Sequence, residues 1–70
     1  MAVTIYTKPG CPYCAAAMAH MRATGERFDE RVVTNDPAAM AEFRRLSPDG
    51  LVPAIVAEDG SVTLGWQGGG

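Results

Sequence analysis

Cysteine is scarce in this 70-residue chain: there are two, Cys11 and Cys14, where a secreted mini-domain held by bridges would carry four to eight. A bridge between two such close positions would close too short a loop to stabilise the fold much through chain entropy. The pair therefore reads as reactive or metal-binding, not structural. Large core side chains are few as well. Aromatics make up 7%, and eleven members of the 47% hydrophobic fraction are alanine. That fraction still fits a globular core and argues against disorder. No charge of one sign dominates, the net charge being −2, so nothing electrostatic points to nucleic acid or an anionic membrane surface. No apolar run approaches the ~20 residues needed to span a bilayer. No basic stretch precedes an apolar one at Met1-Ala2-Val3-Thr4, so no secretory signal is read and the cytoplasm is the expected compartment. The size allows one domain, residues 1–70, expected to be a monomer and to bury only ~60% of the surface its unfolded chain exposes.

Ala2 to Thr7 alternates and is β-branched, and Lys8-Pro9-Gly10 stops it: a strand. Tyr13 to Thr24 contains neither Gly nor Pro, with Pro12 placed at a first helical turn and Gly25 just past the last: a helix. Its wheel gathers Cys14, Ala17, Met18 and Met21 on one face and turns Ala15 and Arg22 away. Arg27 to Thr34 reads as a second strand. Asp36 is a helix cap with Pro37 behind it, and Ala38 to Leu46 sets Met40, Phe43 and Leu46 at helical spacing. Arg44 and Arg45 read as the solvated end of that helix, favourably placed for its dipole. After Ser47-Pro48-Asp49-Gly50, Val52 to Ala57 and Ser61 to Leu64 form a hairpin around Glu58-Asp59-Gly60. The order is strand, helix, strand, helix, strand, strand, with the first two strands parallel and the last two antiparallel.

Cys11 stands where the first helix begins, so its sulfur faces unpaired N–H groups and the positive end of the dipole, an environment that stabilises a thiolate. Lys8, three residues upstream, is expected to add positive charge. Cys14 lies one helical turn further on, within disulfide reach. This pairing suits thiol–disulfide exchange: Cys11 attacks, a mixed disulfide forms, and Cys14 resolves it. A zinc site is disfavoured, because tetrahedral zinc asks for four ligands and the one remaining candidate, His20, lies six residues on and around the helix. His20 reads as a partly exposed helix residue, and Met18, Met21 and Met40 as core filler. The competitor from another class is a module that holds metal or an Fe–S cluster between two copies through Cys11.

Ile5-Tyr6-Thr7-Lys8-Pro9-Gly10-Cys11-Pro12-Tyr13-Cys14, then Val52-Pro53-Ala54-Ile55, then Gly65, resemble the glutaredoxin family of the thioredoxin fold. The resemblance implies an α/β minimal thioredoxin-like fold, β-α-β-α-β-β, with a four-stranded mixed sheet. It also implies a cis bond before Pro53, facing the cysteines, and a Val52 whose backbone offers N–H and C=O to an extended substrate. Glutathione would be gripped by Lys8, Tyr13 and Val52, with Pro12, Pro53, Gly65 and Trp66 completing the site. No bound cofactor and no metal are implied; glutathione is the expected electron donor and disulfide-containing proteins the partners. Two departures stand out. The family's Gly-Gly followed by Ser or Thr and Asp is here Gly65-Trp66-Gln67-Gly68-Gly69. A Gly followed by an aromatic is similar instead to the redoxins that serve ribonucleotide reductase and are recharged by thioredoxin reductase. The usual C-terminal helix is also missing, which would leave one sheet face less covered.

Overall fold

The computed structural model describes residues 3–68, so the expected strand start at Ala2 and the last two glycines lie outside the described residues. Strand β1 spans Val3–Thr7, helix α1 Pro12–Thr24, β2 Phe28–Val32, a 3-10 turn Val33–Asn35, α2 Pro37–Leu46, β3 Ala54–Val56 and β4 Val62–Leu64.

Helix α1 has local reasons for both of its ends. Cys11 is extended (φ −86°, ψ 110°) and caps it, and Pro12 takes the first position, where a missing N–H costs nothing. At the other end Gly25 adopts φ 76°, a left-handed conformation that a side chain would disfavour. There the Gly25 N–H donates to the Arg22 carbonyl at 3.3 Å and the Glu26 N–H to the Met21 carbonyl at 2.9 Å. Two otherwise orphaned carbonyls are thus satisfied.

The sheet order is β2-β1-β3-β4. β1 runs parallel to β2, with Ile5 opposite Glu30 and Thr7 opposite Val32. It runs antiparallel to β3, with Tyr6 opposite Ala54, and β3 pairs antiparallel with β4. Because side chains alternate along a strand, the sheet buries two faces. Val3, Ile5 and Ile55 pack with Ala17 and Met21 of α1. Tyr6 and Ala54 pack with Ala39 and Phe43 of α2, joined by Val33, Val52 and Cys14.

An ionic network ties α2 to the strands. The Tyr6 hydroxyl donates to the Glu42 carboxylate. The Arg31 guanidinium, 5.7 Å from the Tyr6 ring centroid, reaches Glu42 at 3.2 Å and Asp36 at 3.3 Å. Asp36 also accepts from the Ala38 and Ala39 N–H groups at 3.1 and 3.2 Å. The Ala39 N–H first, and the Arg31 guanidinium next, hold the Asp36 carboxyl below its usual range. A carboxyl depressed on folding stabilises the fold above its unfolded pKa, and that contribution is lost as pH falls through the folded value. Asp36→Ala is therefore expected to lower the melting temperature by several degrees at pH 7. The gap from wild type should narrow below about pH 4. Melts followed by circular dichroism at pH 7 and pH 3 check this; an equal gap at both would contradict it.

The structure shortens three expected strands. β2 ends at Val32 instead of Thr34, since β1 stops at Thr7 and leaves Val33 no ladder partner. Val33 instead turns inward and is buried. The strand expected over Val52 to Ala57 is confined to Ala54–Val56, after a cis Val52–Pro53 bond. The last strand starts at Val62 because Ser61 belongs to the turn, its N–H held by the Asp59 carboxylate at 2.9 Å.

No helix follows β4 among the described residues, yet the α1 face of the sheet is not bare. Trp66 packs against the cluster of Val3, Ile5, Ala17, Met21 and Ile55, its ring 5.4 Å from that of His20. Of the sheet's own side chains, the exposed large apolar ones are on the other face: Val62 and Leu64 are 42% and 39% exposed and sit opposite Val56 and Ala54.

Candidate active site at the start of α1

Strand β1 delivers the chain to the site through Thr7, which is buried. Lys8-Pro9-Gly10 then turns it, Gly10 taking φ 74°. This turn places Cys11 at the helix start, half-buried, with Cys14 one turn along and 2% exposed. Both are free thiols. The Cys11 Sγ accepts the Cys14 backbone N–H at 3.2 Å, so the sulfur itself is the helix cap. Burial pushes the Cys14 thiol up to about 12, assisted by a hydrogen bond to Cys11 and by the charges of Cys11 and Glu30. The Lys8 backbone N–H works in the opposite direction. The two sulfurs are thereby made unequal: one is at the surface with a donor aimed at it, and the other is held back as a thiol.

Two grooves flank the pair. The first, of about 490 Å³, runs over Lys8, Gly10, Cys11, Cys14, Met18 and Glu30. The second, of about 270 Å³, lies towards α2 between Lys8, Phe43, Arg44 and the loop from Ser47 to Gly50. That loop is pinned by the Ser47 hydroxyl, which donates to the Leu51 carbonyl at 3.1 Å.

Of the residues singled out from the sequence, Lys8, Cys11, Pro12 and Cys14 line one groove together. Val52 is buried in the same cluster as Cys14, with Cys11 against it. The bond between Val52 and Pro53 is cis. Among the described residues, no backbone–backbone hydrogen bond engages Val52. Gly65 joins this end of the molecule by donating its N–H to the Pro53 carbonyl at 2.8 Å. Tyr13 is 42% exposed on the outer side of α1 and lines neither groove. Trp66 is turned away to the α1 face of the sheet. Among the described residues, no group of three or more His, Cys, Asp or Glu is placed to hold a metal.

Arg44 and Glu30 were not singled out from the sequence. Arg44, read there as a solvated helix end, shares a groove with Lys8, which only the tertiary arrangement reveals. Glu30 alternates with Phe28 along β2 and is exposed; only the pairing of β2 with β1 brings its carboxylate to the Thr7 hydroxyl.

The glutaredoxin family model matches residues 3–62. A glutaredoxin from Neisseria meningitidis serogroup B is 46% identical over 54 residues, covering 76% of this chain and 64% of that protein. The chain thus spans just under two thirds of the length of the curated relatives it matches. Among solved structures, the Brucella melitensis glutaredoxin superposes with a TM-score of 0.74 at 35% identity, over 93% of this chain and 70% of that one. A thioredoxin-like protein superposes with a TM-score of 0.83 at 28% identity, over 93% and 88%.

Proposed function

The chain belongs to the glutaredoxin family, and we propose that it is a thiol–disulfide oxidoreductase in which Cys11 is the nucleophile and Cys14 the resolver. The observation that carries this reading is the inequality of the two sulfurs. Cys11 is reachable and accepts a helix N–H; Cys14 is buried with its thiol pushed up to about 12. In the first half-reaction the Cys11 thiolate attacks one sulfur of a substrate disulfide. The Cys11–substrate bond forms, and the other substrate sulfur leaves as a thiolate and takes up a proton. In the second, Cys14 gives up its proton and attacks the Cys11 Sγ, expelling the remaining substrate thiolate. The substrate gains two electrons and the chain is left with a Cys11–Cys14 disulfide. Val52, which no backbone–backbone hydrogen bond engages among the described residues, supports a substrate strand laid alongside it.

Glutathione is the donor this reading favours, acting on protein disulfides in the cytoplasm. Lys8 and Arg44 bring two cations to the groove on the α2 side, which shares Lys8 with the groove of the cysteines, and this suits a peptide carrying carboxylates. The tail weighs against tight binding. Gly65-Trp66-Gln67-Gly68 supplies neither hydroxyl nor carboxylate for the glutathione amine, and losing a hydrogen bond to a charged group costs roughly 1.5–3 kcal/mol. A weak KM for glutathione is therefore expected together with full dithiol chemistry. The same tail supports the second reading, recharging by thioredoxin reductase in the service of ribonucleotide reductase. A coupled assay run twice decides, once with glutathione and glutathione reductase and once with thioredoxin reductase, each following NADPH loss. Turnover in the first establishes the glutathione reading; turnover in the second alone replaces it.

A further inference from the structure

The larger groove leads to a group that the reaction above leaves unused. Glu30 lines it together with Cys11 and Cys14. The carboxylate is exposed on edge strand β2, but its Oε2 accepts from the buried Thr7 hydroxyl at 2.9 Å. One end of Glu30 is therefore anchored in the interior beside the sulfurs and the other stands in solvent. Cys14 has the reverse problem, being 2% exposed with a proton that must leave before it can attack. The charged groups facing it are Cys11 and Glu30, with the Lys8 backbone N–H opposing them.

We propose that Glu30 is the proton acceptor of the resolving step, taking the Cys14 proton through water in the groove and passing it to solvent. This rests on the assignment of Cys14 as resolver. The balance is simple. The Cys14 S–H bond breaks and the proton goes to the Glu30 carboxylate. The Cys14 electron pair forms the Cys14–Cys11 bond while the Cys11–substrate bond breaks towards the substrate sulfur, which is protonated from solvent. A charged Glu30 disfavours a thiolate at Cys14; a Glu30 that has just accepted the proton is neutral, and the repulsion vanishes as the thiolate appears. Burial is the main reason Cys14 stays a thiol before the mixed disulfide exists; the Glu30 charge adds to it, and that addition is removed once Glu30 has taken the proton. Thr7 keeps the carboxylate turned inward for this exchange.

The test uses the full reduced chain and 5,5′-dithiobis(2-nitrobenzoate), which releases one coloured thiolate when Cys11 attacks and a second when Cys14 resolves. Glu30→Gln keeps an acceptor for the Thr7 hydroxyl and loses only basicity. The first release in Glu30→Gln should stay within about threefold of wild type. The second should slow about 100-fold at pH 7, the usual scale for losing a positioned base, and recover as pH rises and hydroxide replaces the carboxylate. Glu30→Asp should restore part of the rate. A second release within about twofold of wild type at pH 7 would overturn the proposal. So would a slowing that is equal at every pH, since that marks a structural effect. If wild type gives no first release, the dithiol assignment itself fails and this proposal falls with it.

Discussion

Cys11→Ser is expected to abolish disulfide reduction, by more than about 1,000-fold, because no other group in the groove can form the covalent intermediate. The neighbours of Cys11 along it are Lys8, Pro9, Gly10, Pro12, Ala15, Met18 and Glu30, none a nucleophile towards sulfur, and a Cys14 held near 12. Cys14→Ser should behave differently. Its first step is intact, so mixed disulfides on Cys11 accumulate and are seen by mass spectrometry as adducts of one substrate thiol per chain. The two variants separate attack from resolution. If Cys11→Ser formed adducts and Cys14→Ser did not, the roles would be reversed; brief iodoacetamide labelling of the wild type, expected on Cys11, gives an independent check.

Phe43→Ala is expected to cost about 3–5 kcal/mol, the range for truncating a buried aromatic to alanine. Phe43 is 2% exposed and sits among Tyr6, Val33, Ala39, Val52 and Ala54, with Cys14 in the same cluster. It is the largest side chain that α2 contributes to that core. A small domain has a total stability towards the low end of ~5–15 kcal/mol, so this one truncation removes much of it. The melting temperature should fall by roughly 15–30 °C. A fall under about 5 °C would mean that α2 is held mainly by the Arg31, Glu42 and Asp36 network and not by packing.

The element order and the cysteine placement could be read from the chain because their causes are local. Gly25 and Pro12 punctuate α1, Asp36 and Pro37 start α2, and alternation marks β1. The strand ends were misjudged where the cause is a neighbour: Val33 is β-branched and strand-like, but its fate is set by where β1 stops. Trp66 shows the same limit at the site. The family resemblance counts it among the binding residues, and its packing against the cluster of Val3, Ile5, Ala17, Met21 and Ile55 is a tertiary contact that no local pattern announces. Arg44 became a groove residue because Lys8, thirty-six positions earlier, arrives beside it. Local chemistry was legible; convergence of distant segments was not.

The sheet has two unlike borders. On one, β2 presents Asp29 and Glu30 to solvent and an ion-paired Arg31, charges that discourage another strand from adding. On the other, β4 is three residues long with Val62 and Leu64 in the open. Strand-by-strand growth needs two adhesive borders, so that each added copy offers a fresh one. Here a pair joined β4 to β4 would close as a twofold, with the charged β2 borders outside disfavouring open-ended growth.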